Sequence, residues 1–125
     1  MIITSEDKYF TRGIAWSRIS STNFGVRICE SNLIFDTNAP MFFPGKDDWL
    51  DYIAGCLCTK ISSKILSILN PTLTFQVVDV GNLPIILDKH HKFDVEENVK
   101  KAFTLSKSDW DSFETSWDFK RHPLV

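Results

Sequence analysis

Glycine is scarce in this sequence and never clustered, with five scattered residues among 125. A phosphate-cradling loop needs several glycines in one turn so that backbone N–H groups converge on the anion, and no stretch here supplies them. No serine stands in a nucleophile-elbow pattern, so Ser17, Ser20 and Ser21 with His90 and His91 do not make a hydrolase. Cysteine is limited to Cys29, Cys56 and Cys58, an odd number without Cys-x-x-Cys spacing. On a helix, Cys56-Leu57-Cys58 sends its thiols to different faces, so these read as buried thiols and His90-His91 as solvated histidines, with no metal site. The first residues lack a charged-then-apolar layout, and with the unpaired cysteine count this points to a reduced, cytoplasmic setting. No apolar run approaches the length that crosses a bilayer, so no membrane partner is expected. An excess of one charge is also missing. Fourteen Lys and Arg face sixteen Asp and Glu, for a net charge of −2 and a pI near 5.9. Strong, self-sufficient binding of nucleic acid rests on Lys and Arg at phosphates, and this balance argues against it.

What is present is an ordinary globular composition, 43% hydrophobic and 24% charged, enough for one domain with a modest core. Ten Phe and four Trp raise the aromatic share to 13%. Most should fill the core, while a few face a partner. The charge is uneven along the chain. Lys8, Arg12, Arg18 and Arg27 lie early, and Asp109, Asp111, Glu114 and Asp118 crowd the end.

Residues Met1 to Phe10 are expected to be loose. Arg12-Gly13 permits a turn before a strand that carries Ile14 and Trp16 on one face, and Ser17 to Asn23 is a polar loop. Phe24, Val26 and Ile28 alternate as a half-buried strand, with Leu33-Ile34-Phe35 returning beside it as a hairpin. Helical spacing runs from an N-cap at Asp47 through Leu50, Ile53, Leu57, Ile61, Ile65 and Ile68. Thr59 caps a second helix, Lys60 to Leu69, giving two helices with a break rather than one rod. The stripe Ile53, Leu57, Ile61 and Ile65 is expected to face Phe24, Val26, Leu33 and Phe35. Asp94 opens a further helix with Val95, Val99, Ala102 and Phe103 on one side. Ser106 with Asp109 suggests a capped last helix whose apolar face is Trp110, Phe113 and Trp117. The fold class is α+β: short antiparallel strands packed on two central helices, followed by C-terminal helices.

Between these helical parts, Asn70-Pro71-Thr72-Leu73-Thr74-Phe75-Gln76 stops the helical run, because Pro71 cannot continue it. Leu73, Phe75 and Val77 alternate as a short extended segment, Gly81-Asn82 turns, and Leu83-Pro84-Ile85-Ile86-Leu87 follows as an edge or terminal segment.

The run Asn70 to Ile86 resembles the "N-P-T-L-x-F-Q … D-x-x-x-L-P-I" segment of large adenine-specific DNA methyltransferases of phage-exclusion (BREX or Pgl-type) and single-chain restriction–modification systems. Tyr9 to Ser17 running into Phe24-Gly25-Val26-Arg27, and Ser106 to Phe119, resemble the same proteins in the same order. A more distant similarity links this region to recognition domains of type I specificity subunits. The resemblance implies a target-recognition region, with residues 1–87 as the recognition-like module and 88–125 as a helical extension packing on it. It implies S-adenosylmethionine as the family's cofactor. Neither the glycine-rich cofactor turn nor the Asn/Asp-Pro-Pro-aromatic loop for a flipped adenine is in this sequence, since Asn70-Pro71 is followed by Thr72-Leu73. The chain is therefore expected to bind no cofactor and to have no catalytic residue of its own, like a fragment lacking the catalytic domain.

Candidate DNA-binding residues are Arg12, Ser17, Arg18, Ser20, Ser21, Thr22, Asn23 and Arg27. The planar donors suit base edges in the major groove, and the hydroxyls suit phosphates. The alternative is that they are solvated surface groups. Asn70, Pro71, Thr72, Phe75, Gln76 and Pro84 read as structural, with side chain bonded to backbone. The expected partners are DNA, through a parent methyltransferase, and the catalytic domain or other defence subunits. A protein-docking module that never touches DNA is the competing reading, and a non-functional remnant of a split gene is a third.

Overall fold

In the computed structural model, residues 6–45 and 47–124 are described, the side chains of Glu6 and Asp47 excepted. The loose start thus falls partly, and the capping side chain of Asp47 wholly, outside the described residues. Gly13–Trp16 forms β1, where Ile14 and Trp16 point one way and are buried. It pairs antiparallel with β2, Val26–Cys29, in the register Ile14 to Ile28 and Trp16 to Val26. A two-residue β3, Met41–Phe42, takes the other edge of β1, giving the sheet order β2-β1-β3.

The hairpin is therefore β1 with β2, joined by the polar loop, and not β2 with Leu33-Ile34-Phe35. That run forms no strand, and Leu33 and Ile34 are exposed. Three apolar residues without polar alternation define no inward face. Phe35 instead stacks edge-on to Tyr9 and tilts against Phe43, while the Leu33 carbonyl accepts from Phe10 N–H. The turn expected at Arg12-Gly13 sits earlier, at Tyr9-Phe10, where Phe10 takes a left-handed φ of 59°.

A 3-10 turn, Asp47–Trp49, leads into α1, Leu50–Leu57. Leu50, Ile53 and Leu57 are buried against Ile14, Trp16 and Phe24. Thr59 then caps α2, Lys60–Leu69, its hydroxyl accepting from the Ser62 N–H. The break bends the pair by 66°. That bend ends the continuous stripe. Leu66 is the residue of α2 that enters the core, whereas Ile61 and Ile68 are exposed by 72% and 71%. Ile61 and Leu33 therefore leave the expected core.

Past Asn70 the chain pairs in strand fashion only at Thr74, in a single bridge to Ile19, and Gln76 is still extended before the next helix. Val77–Gly81 closes into a short helix, α3, which exposes Val77 and Val78 and buries Val80. Leu83 is buried and Ile85 packs on the core, outside any sheet. Tyr52 tethers this segment, its hydroxyl donating to the Ile86 carbonyl. The last helix, α4, is a single 19-residue element, Lys92–Trp110. It starts two residues before Asp94, and Ser106 to Asp109 lie inside it, so no second helix is capped there. Residues 111–118 are a chain of turns. Val95 and Val99 dock α4 on Gly55 of α1, where an added Cβ would meet Val99 Cγ2 at 2.7 Å. No single helix among the described residues is long and apolar enough to cross a membrane; α1 and α2 pass that test by composition only as a bent pair.

Candidate nucleic-acid interface

The polar loop after β1 is short of structure of its own, yet it is held from both sides. Arg18 N–H donates to the Asn38 carbonyl at 3.1 Å. The Arg18 carbonyl accepts from Phe75 N–H at 2.7 Å, and Ser20 N–H donates to the Leu73 carbonyl at 3.0 Å. Ile19 and Thr74 thus form a bridge between the loop and the Asn70–Gln76 segment. Beneath it, the Trp16 indole donates to the Phe75 carbonyl at 3.0 Å, and the Phe24 and Phe75 rings lie 5.0 Å apart. Two of the family-like stretches are therefore one physical unit.

The Asn70–Gln76 segment is in turn fixed by its own polar side chains. Asn70 Nδ2 donates to Asp79 Oδ2 at 2.8 Å and to the Thr74 carbonyl at 3.3 Å. Thr72 Oγ1 donates to Asn70 Oδ1 at 2.7 Å, and Thr74 N–H donates to Thr72 Oγ1. Pro71 and Pro84 are exposed. Gln76 is exposed too and precedes α3 without a side-chain cap.

On this frame Ser17, Ser21, Thr22 and Asn23 are exposed, and Arg18 and Ser20 are half-buried. Ser20 Oγ and Thr22 Oγ1 share a hydrogen bond at 2.9 Å, and Thr22 N–H donates to Ser20 Oγ, which fixes the bend. Arg27 is exposed on β2 opposite Ala15. Among the described residues neither Arg18 nor Arg27 has an ion-pair partner.

Arg12 is separate from this group. It precedes β1, at the far end from the loop, roughly 13 Å away at about 3.4 Å per strand residue. Its guanidinium lies 3.0 Å from Asp51 of α1 and 3.4 Å from Glu30. Burial pulls its pKa down, but the two carboxylates outweigh this and leave it raised. Alternation also puts Arg12 on the helix side of the sheet and Arg27 on the other.

The acidic C-terminal residues do not form a helix face. Lys107 Nζ sits between Asp111 and Asp118 at 2.6 and 2.7 Å, and buried Ser116 donates to Asp111 at 2.7 Å. The hydrogen bonds from Lys107 and Ser116 hold the Asp111 carboxyl below its ordinary value, and those with Asp111 and Asp118 raise Lys107. Trp110, Phe113 and Trp117, expected to pack on protein, are exposed, Trp117 completely.

Cys56 is half-buried and Cys58 exposed, while His90 and His91 are exposed and His91 Nδ1 lies 2.7 Å from Asp88. Burial pushes the Cys29 and Cys56 thiols up. Among the described residues no group of three metal-ligating side chains converges. The strand-to-helix connection after β3 contains one glycine, Gly45, so the residues present do not fit the glycine-rich turn that S-adenosylmethionine requires.

The rest of the frame is the loop Asp36–Pro40, which presents the Asn38 carbonyl; Thr37-Asn38-Ala39-Pro40 reads from the sequence as a break, but its contact with Arg18 does not. Asp36 Oδ1 accepts from the N–H groups of Asn38 and Ala39 at 2.8 and 2.9 Å. An Asp two residues before an Asn, just ahead of Pro40, is the turn signal that marks it.

No protein-family model matches the chain. Curated relatives do. Over 125 residues, 98% of this chain, it is 34% identical to "Adenine-specific methyltransferase BrxX" of Escherichia coli O9:H4 (strain HS). Over 116 residues, 93% of the chain, it is 34% identical to "Adenine-specific methyltransferase PglX" of Lacticaseibacillus casei (strain Zhang). In each case the match spans 10% of the relative's length. In sequence the chain is thus the counterpart of a segment, about a tenth in length, of the BrxX and PglX adenine-specific methyltransferases.

Proposed function

We propose that the chain is a DNA target-recognition segment of an N6-adenine-specific DNA methyltransferase of a phage-defence system, of BREX or restriction–modification type. Its task is binding and orientation, while methyl transfer and S-adenosylmethionine belong to the remainder of such an enzyme. The observation that carries this reading is the doubly clamped loop. Base-edge hydrogen bonds tolerate little misplacement, so readers must stand on a fixed backbone. Arg18 is pinned through both its N–H and its carbonyl, while the side chains from Ser17 to Asn23 line its exposed side. Arg18, Asn23 and Arg27 meet base edges or phosphates, with Ser17, Ser20, Ser21 and Thr22 beside them; Arg12 serves the frame through Asp51 and Glu30. Residues 1–87 carry this surface, and 88–125 form the extension docked through α4.

The test is DNA binding by the methyltransferase that carries this segment, followed by fluorescence anisotropy at two salt concentrations. Arg18→Glu and Arg27→Glu should each weaken binding, and each lost phosphate contact should lower the salt slope by about one. Both variants binding as wild type would remove DNA from this surface.

A second reading, docking to a protein of the defence complex without DNA contact, draws on the exposed Trp110, Phe113 and Trp117. It predicts that both arginine variants are silent and that Trp117→Ala disrupts assembly.

A further inference from the structure

The sheet stops one strand short of its helical cover. β2 is an edge strand, and α1 packs over it and β1. The N-terminal half of α4 rests on α1 at Gly55 through Val95 and Val99. Its C-terminal half continues past that contact, and every residue from Lys101 to Trp110 is exposed. Between this overhang, α1 and β2 lies a groove of about 660 Å³, lined mainly by apolar side chains including Val26, Ile28, Ala54, Ala102, Phe103 and Trp110. No residue of β1 or β3 lines it, so it lies on the outer side of β2.

The backbone of β2 faces the same space. Trp16 N–H donates toward β3, to the Pro40 carbonyl. Neighbouring residues of a strand address opposite sides, so Gly13 and Ala15 serve β2, and their partners Cys29 and Arg27 turn back to β1. Val26 and Ile28 therefore aim their N–H and C=O groups at the open edge. An open edge with an apolar groove beside it takes an added strand: the backbone groups supply the ladder and the groove takes alternate side chains.

We propose that the free edge of β2 binds an extended peptide segment of a partner protein, apolar at alternate positions and carrying a carboxylate beside Arg27. This inference competes with the DNA-recognition reading for Arg27 alone and leaves Arg18 and Asn23 to the loop; the backbone shifts at Val26 and Ile28 are read independently of DNA. Sitting about 4.8 Å beyond β2, the added strand lays its inward side chains under Ala102, Phe103 and Trp110. Arg27 lines the groove and has no ion-pair partner among the described residues, so a free cation stands beside the apolar stretch; the adjoining cleft past Phe103 mixes Lys107, Lys120 and Arg121 with Asp111 and Asp118. A second copy is disfavoured: two-fold pairing of β2 with itself that uses the outward groups of both Val26 and Ile28 sets Arg27 directly opposite its own copy, and like charges so placed are destabilising. A nucleic-acid strand has no backbone that repeats N–H and C=O groups at strand spacing, so it cannot form a ladder with the outward groups of Val26 and Ile28.

The test uses the whole chain and a capped seven-residue peptide of alternating valine and threonine with glutamate at both ends. It is titrated by amide NMR and Trp fluorescence. Expected are shifts at Val26 and Ile28, at least tenfold weaker binding of the fully N-methylated peptide, and weaker binding of a lysine-ended one. Arg27→Glu should reverse the charge preference without altering the fold. The proposal is overturned by no binding at millimolar peptide, by equal binding of the N-methylated peptide, or by concentration-dependent protection of the β2 amides that reveals a dimer. Oligothymidine producing the same shifts at Val26 and Ile28 would also overturn it, in favour of a nucleic-acid site.

Discussion

Helices α1 and α4 touch each other, yet they hold their places by different physics. The eight residues of α1 bury Leu50, Tyr52, Ile53, Ala54 and Leu57, and its stability comes from the core it completes. The nineteen residues of α4 bury none. Local ion pairs stabilise it instead, Lys92 with Glu96 and Glu97 with Lys101 at 2.8 Å each, together with the contact at Gly55. An exposed pair such as Glu97 with Lys101 contributes only about 0.3–0.5 kcal/mol, while Lys92 and Glu96 are half-buried and Lys92 Nζ also lies 5.3 Å from the centre of the Trp49 ring. The C-terminal half of α4, from Lys101 to Trp110, is left exposed throughout. The lesson is that length and apolar content locate a helix, while burial tells what it is for.

The comparison breaks first if the core is not where α1 and Leu66 place it. Leu66→Ala and Leu57→Ala should each cost about 2–5 kcal/mol by chemical denaturation, since both side chains are almost wholly buried. Ile61→Ala, on the exposed side of α2, should stay within about 0.5 kcal/mol. A large loss at Ile61 would restore the uninterrupted stripe.

Next in size is the seam between the two helices. Gly55→Val places atoms where Val95 and Val99 sit, so it should cost about 1–3 kcal/mol. Hydrogen exchange should show lost protection along α4 with β1 unaffected. Equal loss in both would mean that α4 is part of the core rather than docked on it.

A smaller change sharpens the boundary between α1 and α2. Thr59→Ala removes the hydroxyl that accepts from Ser62 N–H and should cost about 1 kcal/mol by thermal melting.

The smallest effect is at the start of α4. The hydrogen bond to Asp88 raises His91 above the ordinary histidine value and lowers Asp88 below the ordinary carboxylate value. The raised His91 contributes stability fully present below its unfolded pKa, near 6.5, and lost as pH rises through its folded one. Asp88 contributes stability present above about 3.8 and lost as pH falls through its lowered value. The pair is therefore strongest between the two folded values. NMR titration should place His91 above its ordinary value, and Asp88→Asn should bring it down.

Much of this was legible in the sequence, for identifiable reasons. Thr59 announced the cap and the break of α2, and Ile14 with Trp16 announced β1, because both signals are local. The stripe through Ile61 failed because periodicity cannot register a 66° bend, which rotates the next helix and brings Leu66 inward. The pairing of β2 with Leu33–Phe35 failed because that run lacks the polar alternation that would define an inward face; β2 pairs through one edge with β1, whose other edge takes Pro40–Phe42. In the candidate site, the exposed loop was readable from its polar run, but its clamps at Asn38, Leu73 and Phe75 are backbone contacts that no side chain announces. Arg12 looked equivalent to Arg18 until Asp51, far along the chain, claimed its guanidinium.

The central claim is that the loop faces DNA while α4 faces protein. Under the proposed function it is tested most directly by placing a photo-crosslinking side chain at Ser21 or at Leu105 in a full-length methyltransferase of the BrxX or PglX kind built with this segment, in the presence of DNA. Both positions are exposed, so neither substitution should disturb the fold. The account predicts crosslinks to DNA from Ser21 and to protein from Leu105. Crosslinks to protein from Ser21 and to DNA from Leu105 would contradict it.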